Sequence, residues 1–192
     1  MRTVVYGMMV TIDGFIEGPN HQLDWPIIDD ELHEYVNEQQ RSKDTYVLGR
    51  RLYEMMEAFW PTADQDPSAP PYIVEFARIW RDTPKVVFSK TLDQVGPNAR
   101  LVRDDVVDEV ARLKQQPGKD IDVGGASIAA SLMQQDLIDE YRLFIHPVVL
   151  GGGTPMFPAL SDQRLLRLID MRTFRSGVVF LRYQPADAEH VR

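Results

Sequence analysis

The chain has 192 residues, a formal net charge of −8 and no cysteine. The length fits one domain with a substantial core, and the acidic balance argues against general nucleic-acid binding, which needs a basic face. The missing cysteine removes disulfides, thiolate metal sites, cysteine nucleophiles and the zinc deaminase signature, and it fits a reducing, cytoplasmic compartment. No apolar run approaches the ~20 residues of a membrane span, and Met1-Arg2 leads straight into a strand rather than a signal peptide.

Thr3 to Ile12 (TVVYGMMVTI) reads as a strand buried on both faces, ending in the turn dipeptide Asp13-Gly14. Asp29-Asp30 begins a helix through about Gln40, with acidic residues in the first turn where the helix dipole favours them. Thr45 to Leu48 is a β-type run that breaks at Gly49 into Arg50-Arg51 and a helical stretch, LYEMMEAF. Pro61 to Pro71 is too proline-rich for regular structure and reads as a loop. A helix over Tyr72 to Arg81 precedes a strand at Lys85 to Phe88, which breaks into Ser89-Lys90-Thr91. Leu101-Val102 is a short strand, and Asp104-Asp105 caps a helix that Pro117-Gly118 stops.

Ile121 to Ser131 (IDVGGASIAAS) is the most informative stretch. A short apolar strand runs into paired glycines, and a small-residue helix opens behind them. A helix N-terminus carries unsatisfied N–H groups and attracts phosphate, and a glycine lets a pyrophosphate approach the backbone closely. A glycine pair after a strand also serves as a simple tight turn. If it is a phosphate site, Gly125→Asp is expected to block the ligand and leave the fold intact. Beyond it, Glu140 to Leu150, Leu165 to Phe174 and Val178 to Tyr183 read as strands with no helix between them, the last two joined by a hairpin at Arg175-Ser176-Gly177. Residues 1–184 form one expected domain, and 185–192 a disordered tail.

In open α/β sheets, ligands collect outside the carboxyl ends of strands. Three such ends here offer a glycine pair, an arginine pair and a Ser-Lys-Thr cluster, which together point to a phosphate-rich ligand such as a dinucleotide. Asp13 is the candidate polar group at the reacting end, although an Asp before Gly also bonds its own turn. Trp25, Phe59 and Trp60 are candidate walls for a flat substrate, or core. Gly152, within Gly151 to Gly153, is a candidate for close backbone access. The histidines lack metal-ligand spacing, so no metal site is expected, and no Gly-x-Ser-x-Gly elbow is present.

Thr11-Ile12-Asp13-Gly14, Leu48-Gly49-Arg50-Arg51 with Tyr53-Glu54, Phe88-Ser89-Lys90-Thr91, Val123-Gly124-Gly125-Ala126 and the run from His146 through Gly151-Gly152-Gly153 to Pro155 follow one another along nearly the whole chain. In that order they resemble the family comprising dihydrofolate reductase and the C-terminal reductase domain of the bacterial riboflavin-pathway deaminase-reductase, and are closest to stand-alone members of the latter branch. The resemblance implies an α/β, dihydrofolate reductase-like three-layer fold, with a central mixed, mainly parallel sheet, helices on both faces and a C-terminal antiparallel meander.

It further implies NADPH as cofactor. Gly49, Arg50, Arg51, Ser89, Lys90 and Thr91 would hold the adenosine 2′-phosphate end. Gly124, Gly125, Ala126 and Ser127 would hold the pyrophosphate, and Val10 and Thr11 would lie beside the nicotinamide. The expected activity is hydride transfer to a small ring-containing or carbonyl substrate, pterin- or pyrimidine-like, as in 5-amino-6-(5-phosphoribosylamino)uracil reductases. The chain departs from the riboflavin-pathway enzyme in lacking an upstream deaminase domain. None of the carboxylates of the first helix (Asp29, Asp30, Glu31, Glu34) matches the acting carboxylate of dihydrofolate reductases by motif, so neither parent substrate transfers. The alternatives are a nucleotide-binding protein without turnover and a flavin-using reductase. A homodimer is expected, because apolar strands at Leu143 to Leu150 and Val178 to Leu181 need a cover that the helices of the first two thirds do not supply.

Overall fold

The computed structural model describes residues 1–157, 159–160 and 162–186. Its strands are β1 (Val4–Thr11), β2 (Phe15–Glu17), β3 (Lys43–Gly49), β4 (Lys85–Phe88), β5 (Ala99–Val102), β6 (Asp120–Gly124), β7 (Glu140–His146), β8 (Thr154–Pro155), β9 (Leu166–Thr173) and β10 (Val179–Pro185). The helices are α1 (Asp30–Gln40), α2 (Arg50–Glu57), α3 (Pro71–Asp82), α4 (Val106–Gln115) and α5 (Ala126–Gln134).

Eight strands form one sheet in the order β5-β4-β3-β6-β1-β7-β10-β9, while β2 and β8 make a separate ribbon. The strands from β5 through β7 all run parallel. The antiparallel part is at the other side, where β10 inserts between β7 and β9 and opposes both. The carboxyl ends of β1, β3, β4, β6 and β7 therefore share one edge of the sheet. Parallel strands have to be covered on both faces, and the alternation of each strand provides for this. Val4, Tyr6, Val10, Ile121 and Val123 pack under α4 and α5 through Val110, Leu113, Ala129 and Leu132. On the opposite face, α1 sets Leu32 and Tyr35 on Phe144 and Phe180, and α3 sets Phe76 and Trp80 on Tyr46, Leu48 and Val87. The expectation that no helix of the first two thirds covers β7 and β10 is thus corrected for this face, which α1 buries.

Local chemistry fixes several boundaries. The Asp29 side chain accepts from the Leu32 N–H at 2.9 Å to start α1, and Asp105 accepts from the Val107 N–H at 2.7 Å to start α4. The strand expected to reach Leu150 stops at His146, because Pro147 has no N–H to continue a ladder. The proline-rich segment is more ordered than its composition implies. A 3₁₀ helix spans Trp60–Gln65 with Pro61 in its first turn and Ala63 buried, and α3 begins on Pro71, where a missing N–H costs nothing. Strand β10 extends to Pro185, and the Ala186 N–H donates to the Leu165 carbonyl at 3.0 Å. The remainder of the expected tail, 187–192, lies outside the described residues.

Candidate active site at the carboxyl edge of the sheet

The ends of β3 and β6 meet at this edge. Leu48 pairs with Gly124, and a Cβ placed on Gly125 would stand 3.7 Å from the Gly49 nitrogen. Gly49 and Gly125 are the residues on which α2 and α5 begin, and neither helix start has a capping side chain. By contrast, α1 and α4 are capped by aspartates. Two helix N-termini with uncapped N–H groups thus converge on one spot, an arrangement suited to an anion.

Gly125 sits at φ 112°, a conformation that side chains rarely adopt. The expectation that Gly125→Asp leaves the fold intact is therefore corrected: the substitution carries backbone strain of about 1–3 kcal/mol before any ligand is considered. Ser127, in the first turn of α5, is exposed.

The basic residues do not act as one group. Arg50 donates to the Thr91 hydroxyl at 3.0 Å, joining the end of β3 to the turn after β4. The Ser89 hydroxyl shapes that turn by accepting from the Thr91 and Leu92 N–H groups at 3.1 and 3.0 Å. Lys90 is exposed beside it. Arg103, which the sequence reading passed over, joins the same turn by donating to the Leu92 carbonyl at 2.6 Å. Arg51 points elsewhere. It is paired with the buried carboxylate of Glu17 and lies 2.8 Å from the His21 ring. Glu17 also accepts from the Thr154 hydroxyl, and these bonds hold its carboxyl below the usual range against the opposing effect of burial. Arg51 thus ties α2 to the β2–β8 ribbon.

Asp13 is a brace. Its carboxylate accepts from the Thr11 hydroxyl at 2.6 Å and from the N–H groups of Leu150 and Gly151 at 3.1 and 2.7 Å. These bonds hold its carboxyl below the usual range, the Thr11 hydroxyl foremost, so at neutral pH it has no proton to give. It locks the end of β1 to the loop after β7. Val10 and Thr11 are themselves buried, Val10 within the core.

A cavity of about 400 Å³ opens beside the two glycine-started helices, between the sheet and helices α1 and α3. Met9, Leu48, Leu52, Val36 and Phe76 line it, with exposed Leu23, Ile28 and Met55 at its solvent end. Trp25 and Trp60, both anticipated as substrate walls, line it as well. Phe59 and Gly152 do not. Phe59 is 54% exposed and packs only edge-on against Trp60, at 4.9 Å, and Gly152 has open space around it.

The wall carrying Trp25 depends on His146, a residue to which the sequence reading gave no role. Fully buried at the end of β7, it accepts the Ile27 N–H on Nδ1 at 3.0 Å and meets the Trp25 ring edge-on at 5.3 Å. Burial pushes its pKa down to about 4, so the ring stays neutral and keeps that acceptor. Among the described residues, no group of three or more metal-binding side chains is gathered, and no helix is long and apolar enough to cross a membrane.

Relatives share this chain and this architecture. The uncharacterized protein YyaP of Bacillus subtilis is 36% identical over 185 residues, covering 95% of this chain and 94% of its own. Among solved structures, a dihydrofolate reductase from Enterococcus faecalis complexed with NADP(H) superposes with TM-score 0.61 at 14% identity, covering 96% of this chain and 97% of that one. The diaminohydroxyphosphoribosylaminopyrimidine deaminase/5-amino-6-(5-phosphoribosylamino)uracil reductase of Thermotoga maritima gives TM-score 0.67 at 15% identity, over 96% of this chain but 57% of that one. The fold is thus dihydrofolate reductase-like, an α/β sandwich around a mainly parallel sheet. The RibD C-terminal domain model matches residues 2–180, and the chain belongs to that family.

Proposed function

We propose that the protein is an NADPH-dependent reductase of the riboflavin-pathway type that reduces a small, flat ring compound held in the cavity. The observation that carries this reading is the convergence of two uncapped helix N-termini, at Gly49 and Gly125, immediately beside an apolar chamber: Leu48, Leu52 and Gly124 belong to both. Gly124, Gly125, Ala126 and Ser127 would receive the pyrophosphate. Arg50, Lys90 and Thr91, with Gly49 and Ser89 shaping the backbone, would receive the 2′-phosphate. Val10 and Thr11 would flank the nicotinamide. NADPH supplies the hydride; the chain supplies binding, orientation and exclusion of water. Asp13 serves as a positioning residue that fixes the β1 end against Leu150 and Gly151, and the reducing equivalents are matched by a proton from solvent. Residues 1–184 act as one catalytic unit in a reducing, cytoplasmic compartment.

The working form is a homodimer. Leu168 and Met171 on β9 are 46% and 58% exposed. Met171 registers with Leu181, and Leu181 with Leu143, so an apolar stripe crosses three strands of the antiparallel side. A second copy is the natural cover for such a face. Light scattering at micromolar concentration should return the mass of two chains. Purified protein incubated with NADPH and a panel of pterins, pyrimidines and quinones should oxidise the cofactor with at least one of them. Tight NADPH binding with no oxidation by any substrate would leave a binding protein, and a yellow, flavin-loaded protein would replace the cofactor.

A further inference from the structure

The inner end of the cavity differs from its walls. On the face of the sheet under α1, β1 places Gly7 between Val5 and Met9, and the absent side chain leaves a passage along the sheet past Arg142. The passage ends at Asp122, which registers with Val5 on one side and Tyr46 on the other. At 3.3 Å per residue in parallel strands, this lies about 13 Å inward from the level of Met9.

Asp122 is a carboxylate between two apolar residues of β6, Ile121 and Val123 being fully buried on the opposite face. Its side chain keeps 17% of its surface accessible, and it lines the chamber. Around it stand Lys43, whose side chain is 0% exposed and whose ammonium is ion-paired with it, Gln40, whose amide bonds it while its carbonyl has no partner, and the Tyr46 hydroxyl, which has none. Lys43 Nζ is 3.6 Å from the Asp122 carboxylate. Buried polar groups are almost always satisfied, so a cluster of unsatisfied ones around a chamber-facing carboxylate indicates a missing partner.

The rest of the lining carries no free cation. Arg142 is its one arginine among the described residues, and it is spent on Glu140, at 2.6 Å, and on Gln39, at 2.7 Å. A phosphate inside this chamber would have no counter-charge to meet, and burying an unpaired charge is strongly unfavourable.

Resting on the reductase reading, we infer that Asp122 is a specificity-determining residue, and that the chamber takes a neutral, mainly apolar ring compound. The ligand presents a hydrogen-bond donor, a hydroxyl or amine N–H, to the Asp122 carboxylate at the inner end and bears no phosphate. The apolar walls grip the ring and the Asp122 carboxyl accepts from its donor; burial raises the pKa of that carboxyl, and the Lys43 charge beside it opposes the rise. This separates the chain from the substrate named for the Thermotoga maritima relative, which carries a phosphoribosyl group.

Three shape-matched probes test this without cofactor, by calorimetry: 2-naphthol, with a donor; 2-methoxynaphthalene, without one; and 2-naphthyl phosphate. The wild-type chain is expected to bind 2-naphthol about tenfold or more tighter than 2-methoxynaphthalene, the size of a hydrogen bond to a charged group, and to show no measurable binding of 2-naphthyl phosphate. Asp122→Leu combined with Lys43→Met removes both buried charges together, avoiding an orphaned lysine, and should bring the naphthol down to the methoxy compound's affinity while leaving the latter unchanged. Should that double variant not fold, the near-isosteric Asp122→Asn should cut the preference at least threefold. Tightest binding of the phosphate, survival of the donor preference in these variants, or no binding of any probe would overturn the assignment. A chain that ignores NADPH yet shows the Asp122-dependent preference would lose the reductase reading and keep this subsite.

Discussion

Ser127→Asp separates cofactor binding from folding more cleanly than any change at the paired glycines. Ser127 is exposed in the first turn of α5, and that helix has no capping side chain. An added carboxylate there interacts favourably with the helix dipole, by about 0.3–1 kcal/mol. For a domain of this size that raises the melting temperature by roughly 1–4 °C. In the holoprotein the same carboxylate faces the proposed pyrophosphate. Two unit charges about 5 Å apart at an effective dielectric of 20 repel by about 3 kcal/mol, roughly a hundredfold in dissociation constant. Wild-type protein at a hundred times its dissociation constant for NADPH gains about 2.7 kcal/mol, which is about 5–10 °C. Thermal melts should therefore show Ser127→Asp at or above the parent without ligand, and without the NADPH-induced shift. Ser127→Asn, which adds bulk without charge, should retain most of that shift. If Ser127→Asp is stabilised by NADPH as fully as the parent, the phosphate does not rest on α5 and the glycine pair is only a turn.

Arg50→Ala should weaken NADPH about tenfold or more, the worth of a charge-assisted hydrogen bond, and leave NADH unchanged. Arg51→Ala should affect both cofactors equally, since its guanidinium is bound to Glu17; titration of both variants with both cofactors decides. The three consecutive glycines should behave differently. Gly153→Ala should cost more than the roughly 1–3 kcal/mol of its positive φ, because a Cβ would clash with the Glu17 carbonyl, whereas Gly152→Ala has nothing within 4 Å and should melt like the parent. His146, held near a pKa of 4 against 6.5 for an ordinary histidine, takes up its proton on unfolding before it does so in the fold. Stability should therefore fall as pH drops from 6.5 toward 4, by up to about 3 kcal/mol relative to His146→Phe. Burial also lowers His33, which contributes to the slope remaining in that variant together with lowered carboxylates such as Glu17 and Glu31. Denaturant melts of the two proteins at pH 7 and pH 4.5 read the difference.

The elements that depend on local chemistry were legible in the chain. Lys85 to Phe88 is a strand with its expected ends, and the aspartates expected to open α1 and α4 include the two that cap them. What was not legible depends on which segments meet. The short β2–β8 ribbon pairs Glu17 with Thr154, far apart in sequence, so neither strand carries a pattern of its own. The same long-range contact draws Arg51 away from its neighbour Arg50, which the shared motif could not reveal. Asp13 reads as a polar group at the reacting end, and only the approach of the Leu150 and Gly151 amides shows that its carboxylate braces a loop. His146 and Asp122 illustrate the same limit. Each is a polar residue set between apolar or proline neighbours, a visible signal, but its meaning lies in the segment packed across from it: Trp25 and Ile27 in one case, Lys43 and the chamber in the other.

We propose that the carboxyl edge of the sheet is built for NADPH. Calorimetric titration of the purified chain with NADPH and NADH in the same low-salt buffer tests it most directly, since the 2′-phosphate is the only difference between the two ligands. The arrangement of Arg50, Lys90 and Thr91 predicts saturable binding of both at one site per chain, with NADPH tighter by tenfold or more. Equal affinities, or no heat from either cofactor, would contradict it.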